Sequence, residues 1–257
     1  TDVLVEWLRA YPLAPLDDEI VLVQSNGMAQ WLKLALAADD ACGISAAQQF
    51  QMPARFLWQA YRAVLGRDAV PETSPFEKSR LLWRIMALLP GLLDGEAFAP
   101  LRAFLSDDTD QRKRYQLAER LADLFDQYQV YRADWLAAWE QGDHRVITGS
   151  GQGSSLVDNE WQALLWQELL ASMPASERHA SRAHVHHRFL QALADGPADT
   201  SGLPPRIVVF GLSSLPLQAL EALHALAPYC QILLFVPNPC QYYWGDIIED
   251  RDLLRRR

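Results

Sequence analysis

Amide and hydroxyl side chains cluster between an apolar run at residues 20–23 and an amphipathic stretch that begins near residue 28. Amides both donate and accept hydrogen bonds, which suits the reading of base edges, and the start of a helix suits a phosphate. The alternative is a polar turn that only caps a helix, and the spacing alone favours neither interpretation. The segment contains Gln24, Ser25, Asn26, Gly27 and Gln30.

A second polar set lies at helical spacing further along the chain. Asp123, Asp126 and Gln127 share one face of a predicted helix, because they are three and four residues apart. Leu124, Phe125 and Tyr128 are expected on the opposite, buried side. Paired acids of this kind can hold a metal or act as acid and base, but such acids are more often solvated or engaged in salt bridges.

A short basic run precedes this helix face. Arg112, Lys113 and Arg114 stand directly before Tyr115. A cationic patch beside an aromatic ring is compatible with contacts to single-stranded nucleic acid, although the run alone is a weak signal. Among the nine Trp residues, Trp58 is the one expected to serve as a stacking platform, and most of the others are expected in the core.

Two segments have the strand-into-helix pattern of a nucleotide-driven motor, without its catalytic residues. In motors, the turn after one strand presents a Lys to the phosphates, and another strand ends in an acid that holds the metal. Here no Gly is followed by Lys, and the apolar run at 207–210 ends in Phe210 and Gly211. The sequence therefore predicts the architecture of a motor without these catalytic residues.

Two further chemistries find little support in the sequence. His184 and His187 are one helical turn apart, but no Cys or acid lies at a partner spacing, so a solvated helix face is favoured over a metal site. A hydrolase would use Ser25, Ser213 or Ser214 as its nucleophile. Neither strand end has the G-x-S-x-G pattern of a nucleophile elbow.

The composition is that of an ordinary folded protein. Its 257 residues are 50% hydrophobic, and its formal charge of −9 disfavours a broad surface that coats nucleic acid but permits a local basic channel. Such a charge suits a subunit with protein partners.

Cys42, Cys230 and Cys240 show no CxxC spacing, which predicts reduced thiols in a cytoplasmic protein. No apolar run reaches the roughly 20 residues that span a bilayer. The sequence begins inside an amphipathic pattern and stops within a basic run, so we expect it to be a piece of a longer chain.

The order of the apolar patterns predicts an α/β fold, an open parallel sheet interrupted by a large helical insertion. Strands are expected at 20–23, 207–210 and 232–236. Helices are expected at 28–38, from the capping sequence at 74–77, at 111–131, and at 215–226. We divide the chain into residues 1–50 as the first part of the α/β domain, 51–200 as a mostly helical subdomain, and 201–257 as the return to the sheet.

The chain contains the stretches VLVQSNGMAQWL, FQMPARFLW, SPFEKSRLLWRIMALLP and RKRYQLAERLADLFDQYQVYRADWLAAWE. They resemble the N-terminal part of the RecC family, the gamma subunit of exodeoxyribonuclease V. The stretch VVFGLSSLPLQALEAL also resembles this family, and the matches follow in order along the chain from residue 21 to residue 223. The resemblance implies a degenerate superfamily-1 helicase domain, P-loop-like in fold, that partners RecB and RecD. It also implies help in splitting duplex DNA, and guidance of the 3′ strand through a tunnel that senses the Chi signal.

The resemblance implies no cofactor in this chain, with ATP and Mg²⁺ on the partner subunits, and binding of single- and double-stranded DNA. The alternatives are an active ATP-driven motor, an unrelated α/β hydrolase, and a structural brace whose polar loop contacts nothing. Carried over residue by residue, the expected DNA- and Chi-binding positions are Gln24, Asn26, Gln30, Met52, Trp58, Asp123, Leu124, Asp126, Gln127, Arg132 and Arg182.

Overall fold

A computed structural model describes residues 1–15, 17–147, 153–155, 160–196 and 199–237. These residues form the strands β1 (Glu19–Leu22), β2 (Gln48–Gln51), β3 (Arg145–Ile147), β4 (Gly153–Ser155), β5 (Arg206–Phe210) and β6 (Gln231–Phe235). Their α-helices are α1 (Asp2–Ala10), α2 (Asn26–Ala37), α3 (Pro53–Leu65), α4 (Lys78–Leu92), α5 (Ala99–Phe104), α6 (Arg112–Tyr131), α7 (Ala133–Glu140), α8 (Glu160–Ala171), α9 (Ala175–Arg178), α10 (Arg182–Asp195) and α11 (Leu217–Leu226). A 3₁₀ turn spans Glu96–Phe98.

The chain divides into two compact units. The first unit comprises Thr1–Pro53, Pro204–Leu215 and the described chain from Cys230 onward. The second comprises Ala54–Leu203 and Pro216–Tyr229. The strands of the main sheet belong to the first unit, and most of the helices belong to the second.

The first unit is built on a parallel sheet with the strand order β2-β1-β5-β6. Val21 pairs with Phe50 of β2 on one side and with Val208 of β5 on the other. Every residue of β1 is buried, and so are the first four of β5. Continuous apolar runs of this kind are typical of parallel strands covered on both faces, as the sequence predicts for these two strands.

Helices α1 and α2 pack on one face of this sheet. Side chains alternate along a strand, so Val21, Val23 and Val208 point to the same face. The core cluster on that face consists of Leu4, Val5, Val21, Val23, Leu32, Leu36, Ala41 and Val208. This packing fixes the position of α2 directly behind the carboxyl end of β1.

A buried ion pair joins β1 and β5 at the amino end of the sheet. The Arg206 guanidinium donates to the Glu19 carboxylate at 2.9 Å, and both side chains are at least nine-tenths buried. The same guanidinium also donates to Gln231 Oε1 at 2.7 Å and to the Tyr11 carbonyl at 2.7 Å. These three partners offset the desolvation of the two charges.

The second unit is a helical bundle around a single apolar core. Helix α4 presents Leu81, Ile85 and Leu89, and α6 presents Phe125. Trp139 of α7 and Trp166 of α8 are fully buried in the same cluster. The largest packing interface in the bundle is between α4 and α6. The two helices are antiparallel, because Lys78 contacts Asp123 and Trp83 contacts Tyr115.

A buried imidazole links three helices of the second unit. The His186 side chain of α10 shares a hydrogen bond of 2.9 Å with the Tyr61 hydroxyl of α3. Its other ring nitrogen lies 3.0 Å from Glu221 of α11. Burial raises the pKa of Tyr61 far above its ordinary value. His186 is therefore a core residue with both ring nitrogens engaged, in contrast to the solvated face that the sequence predicts for the neighbouring His184 and His187.

Several expectations from the sequence are wrong in detail. Strand β2, with the polar sequence Gln-Gln-Phe-Gln, is not predicted. Ser74 does not cap α4, because its hydroxyl accepts from the Phe76 amide at 3.2 Å in a turn that precedes the helix. The short strands β3 and β4, which pair with each other, are not predicted either. Trp31 and Trp83 are exposed, and they are exceptions to the expectation that most of the Trp residues lie in the core.

Replacing Arg206 with Met is expected to lower the free energy of unfolding by about 3–5 kcal/mol, because Glu19 is left buried without its cation. Urea unfolding followed by circular dichroism measures this. The exposed Arg67→Met serves as a control and is expected to change stability by less than about 0.5 kcal/mol. A single Arg206→Met variant as stable as the parent would contradict the role of the pair.

Candidate nucleic-acid interface

The loop between β1 and α2 presents the first set of polar side chains. Ser25 is the N-cap of α2, and its hydroxyl accepts from the Met28 amide at 3.2 Å. Gln24, Asn26 and Gln30 are exposed. Asn26 and Gln30 are four residues apart on α2 and therefore share one face. The hydroxyl is used as a cap, as one interpretation of the sequence predicts, whereas the amides are left on the surface.

Met52 follows β2, as the loop at Gln24 follows β1, and its side chain is 46% exposed. Parallel strands end at the same edge of a sheet, so Met52 and Gln24 both belong to the carboxyl edge of the first unit. The polar Gln24 and the apolar Met52, both expected to contact DNA, thus follow neighbouring strands of this unit.

Apolar groups fill the carboxyl end of β5 instead of catalytic ones. The Phe210 ring lies 6.4 Å from the Trp31 ring and 6.2 Å from the Phe235 ring, between centroids. Gly211 has a φ of +66°, a conformation that glycine adopts readily, and a Cβ there would lie 3.8 Å from the Met28 methyl group. Among the described residues that directly follow the four strands of the sheet, there is no Lys and no carboxylate. These residues do not fit a nucleoside triphosphate with Mg²⁺.

In the second unit, α6 carries a polar network at the expected positions. Lys78 Nζ donates to Asp123 at 2.9 Å, and Gln127 Nε2 donates to the other oxygen of Asp123 at 3.5 Å. The hydrogen bond and charge of Lys78 hold the pKa of Asp123 below its usual value, and the same contact raises the pKa of Lys78. The acid stays ionised, and its charge is balanced by a neighbouring cation. Lys78 is a member of this network that sequence reasoning missed.

Another acid of α6, Asp126, pairs with the start of α10. Arg182 Nη2 lies 3.2 Å from Asp126, and both side chains are about 30% exposed. Gln129 is fully buried on α6, and its side-chain oxygen accepts a hydrogen bond from the backbone amide of Arg182 at 3.4 Å. This bond fixes the start of α10, and with it Arg182, next to Asp126. The Gln129 amide nitrogen donates to the Phe76 carbonyl at 3.2 Å. Gln129 lies three residues after Asp126, and a polar residue at a core position of the helix is the signal that would have found it.

Other expected site residues already have partners within the second unit. The Trp58 indole nitrogen donates to the Pro71 and Glu72 carbonyls, each at 3.1 Å. The Arg132 guanidinium makes two hydrogen bonds to Asp134, at 3.0 and 3.1 Å, and lies 3.7 Å from the Trp135 ring centroid.

Leu124, predicted on the buried side, is only half-buried. The buried residues of α6 are instead Ala118, Leu121, Ala122, Phe125 and Gln129, which places Leu124 at the margin of the surface that carries Asp123. A half-buried leucine beside polar side chains can still contact a base through its apolar atoms.

The histidines at the start of α10 do not form a metal centre. The rings of His179 and His184 are 4.9 Å apart, and burial lowers the pKa of His184. Within the described part of the chain, no group of three or more His, Cys, Asp or Glu residues is placed to hold a metal ion.

The whole chain, residues 1–257, matches a family model described as RecC, N-terminal domain. The chain belongs to this family. It is 43% identical over 234 residues to the RecBCD enzyme subunit RecC of Escherichia coli (strain K12), a match to 91% of this chain and 20% of that protein. It is 42% identical over 261 residues to the subunit of the same name from Haemophilus influenzae, covering 96% of this chain and 23% of the relative.

A more distant relative has the same description. The RecBCD enzyme subunit RecC of Mycobacterium tuberculosis is 29% identical over 262 residues, which cover 95% of this chain and 22% of that protein. The chain therefore spans about a fifth of the length of the relatives it matches. None of the helices in the described ranges is long and apolar enough to cross a membrane.

Replacing Lys78 with Met removes the hydrogen bond and the positive charge, so the pKa of Asp123 is expected to rise toward its ordinary value. Because the folded-state pKa is the lower one, the pair stabilises the fold above the unfolded pKa and loses this effect as pH falls through the folded pKa. In Lys78→Met, the free energy of unfolding should therefore fall less than in the parent as pH decreases through this range. NMR titration of the Asp123 carboxyl carbon measures the pKa.

The exposed Lys33→Met, in the first unit, is the control and should leave the Asp123 titration unchanged. An Asp123 pKa that does not move in Lys78→Met would show that the ion pair is absent in solution.

Proposed function

We propose that this chain is a non-catalytic DNA-handling and scaffold segment of a RecBCD-type helicase–nuclease. Its relatives are named as RecC subunits of the RecBCD enzyme. In this proposal the chain assembles with RecB and RecD in the cytoplasm, helps to split duplex DNA, guides the 3′-ended strand and takes part in recognition of the Chi signal. In this proposal the first unit, which carries the parallel sheet, is the sheet domain of a degenerate superfamily-1 helicase, and the second unit is its helical insertion.

The observation that carries the proposal is the pairing of two surface acids of α6 with cations. Asp123 is paired with Lys78, and Asp126 with Arg182. Unpaired carboxylates would repel the phosphates of a DNA strand, whereas paired ones offer acceptors to base amino groups at little electrostatic cost. Gln127 adds an amide, which both donates and accepts. Such a surface suits unstacked bases of a single strand better than it suits a phosphate backbone.

The apolar carboxyl edge of the first unit supports the non-catalytic part of the proposal. Phosphoryl transfer depends on a positioned Lys, a metal and the acid that holds that metal. In place of these, Phe210, Gly211 and Trp31 occupy the end of β5, beside the exposed amides of the β1–α2 loop. ATP and Mg²⁺ are therefore assigned to the partner subunits, and the amides Gln24, Asn26 and Gln30 to contacts with DNA.

Replacing Gln30, Asp126 or Gln127 with Ala in the full-length protein, assembled with its partners, is expected to weaken recognition of the signal by about fivefold or more. Each substitution removes a contact to a base edge of the size that discriminates between bases. Unwinding itself should change by less than about twofold, because none of these residues lies on a catalytic path. The measurement compares unwinding and cutting of duplexes with and without the signal sequence.

Gln191→Ala is the matched control, since Gln191 is an exposed amide on α10, nine residues from Arg182. It should leave both activities unchanged. Unaltered recognition of the signal in all three test variants would overturn the assigned site.

A further inference from the structure

Two large aromatic rings of the second unit are exposed side by side. Trp83 on α4 is 64% exposed and Tyr115 on α6 is 41% exposed. Their ring centroids are 6.1 Å apart, with 60° between the planes. Trp139 and Trp166, in the same unit, are fully buried. Exposed aromatic rings are the kind of side chain on which unstacked bases are held.

Cations flank the aromatic pair on both helices. Arg80 precedes Trp83 by three residues and Arg112 precedes Tyr115 by three, so each lies on the same helix face as its ring. Arg80 forms no salt bridge with an acid among the described residues. Arg112 pairs with Asp110 in a highly exposed contact of 3.1 Å, the kind that contributes little and that a phosphate can displace. Glu119 lies one turn beyond Tyr115 on this face, and its negative charge opposes the positive charges of Arg80 and Arg112.

The aromatic pair lies on the same face of α6 as the polar surface described above. Tyr115 and Asp126 are 11 residues apart, which is about three helical turns, about 16 Å along the axis and about 20° around it. The Lys78–Asp123 pair lies between them, on the same two antiparallel helices. The surface from Asp126 to Tyr115 is therefore continuous along α4 and α6.

We propose that Trp83 and Tyr115, with Arg80 and Arg112, form a stacking subsite for single-stranded DNA that extends the surface at Asp123, Asp126 and Gln127. This inference rests on the proposed function. A base stacks on the exposed indole, and the two guanidinium groups contact the flanking phosphates. The subsite is tolerant of sequence, because every base has an aromatic face. It would hold the strand in register while the polar residues read it.

The test uses the full-length protein assembled with its partners, bound to a duplex whose 3′ tail carries 5-iodouracil at one position in each substrate of a series. After irradiation, mass spectrometry identifies the crosslinked peptides. We expect crosslinks to Trp83 or Tyr115 from tail positions different from those that crosslink at residues 123–127. Trp83→Ala and Tyr115→Ala should each reduce the crosslink at this patch by about fivefold or more. Trp83→Phe, which keeps a stacking ring, should retain most of it.

Tyr131→Ala is the matched control, because Tyr131 is an exposed tyrosine of α6 about 160° around the helix from Tyr115. It should leave the crosslink unchanged. Crosslinks at 123–127 but none at Trp83 or Tyr115 would overturn the subsite and leave the proposed function standing. Crosslinks at neither place would overturn both. A photoreactive residue at position 83 that captures a partner subunit, and no DNA, would show the patch to be a protein interface and would also overturn the inference.

Discussion

The burial of β1 and β5 on both faces is the constraint that organises the first unit. A strand enclosed on both sides can carry only apolar side chains along its length, so polar groups are confined to the strand ends. At the amino end, Glu19 and Arg206 satisfy one another in the interior. At the carboxyl end, Gln24, Asn26 and Gln30 lie in solvent, where a ligand of an open α/β sheet is expected. The sheet thus separates a sealed structural edge from an exposed edge available for binding.

In the second unit, the exposed polar surface depends on the pairing of charges. The core residues of this unit on α4, α6, α7 and α8 leave one face of α6 exposed, and two acids of that face, Asp123 and Asp126, are each balanced by a cation from a neighbouring helix. The buried amide of Gln129 fixes the start of α10, and with it Arg182, against α6. In a protein with a formal charge of −9, local neutralisation of these acids lowers the repulsion between this surface and a polyanion.

The sequence predicted the elements whose patterns are strong and local. The apolar runs at β1 and β5, the helical periodicity of α6 and the polar loop after β1 are all found in the structure. Strand β2 was missed because its sequence, Gln-Gln-Phe-Gln, has the composition of a loop, and only pairing with β1 makes it a strand. A proposed cap at Ser74 was wrong because a local turn competes for the same hydroxyl.

The candidate site was predictable only in part, for a physical reason. Spacing along one helix reveals which residues share a face, and it grouped Asp123 with Gln127 correctly. It carries no information on partners from other helices, so Lys78, 45 residues away from Asp123, was missed, as was the pairing of Tyr115 with Trp83. The buried roles of His186 and Gln129 likewise depend on residues distant in sequence.

The central claim is that the fold kept surfaces for polynucleotide after losing the residues that use nucleoside triphosphate. Its most direct test is calorimetric titration of ATP with Mg²⁺ into the purified full-length protein, free of its partners, with phosphate release measured on the same sample. The account predicts no saturable binding and no hydrolysis. Binding of one equivalent of ATP with turnover, abolished by a substitution at the β1–α2 loop, would contradict it.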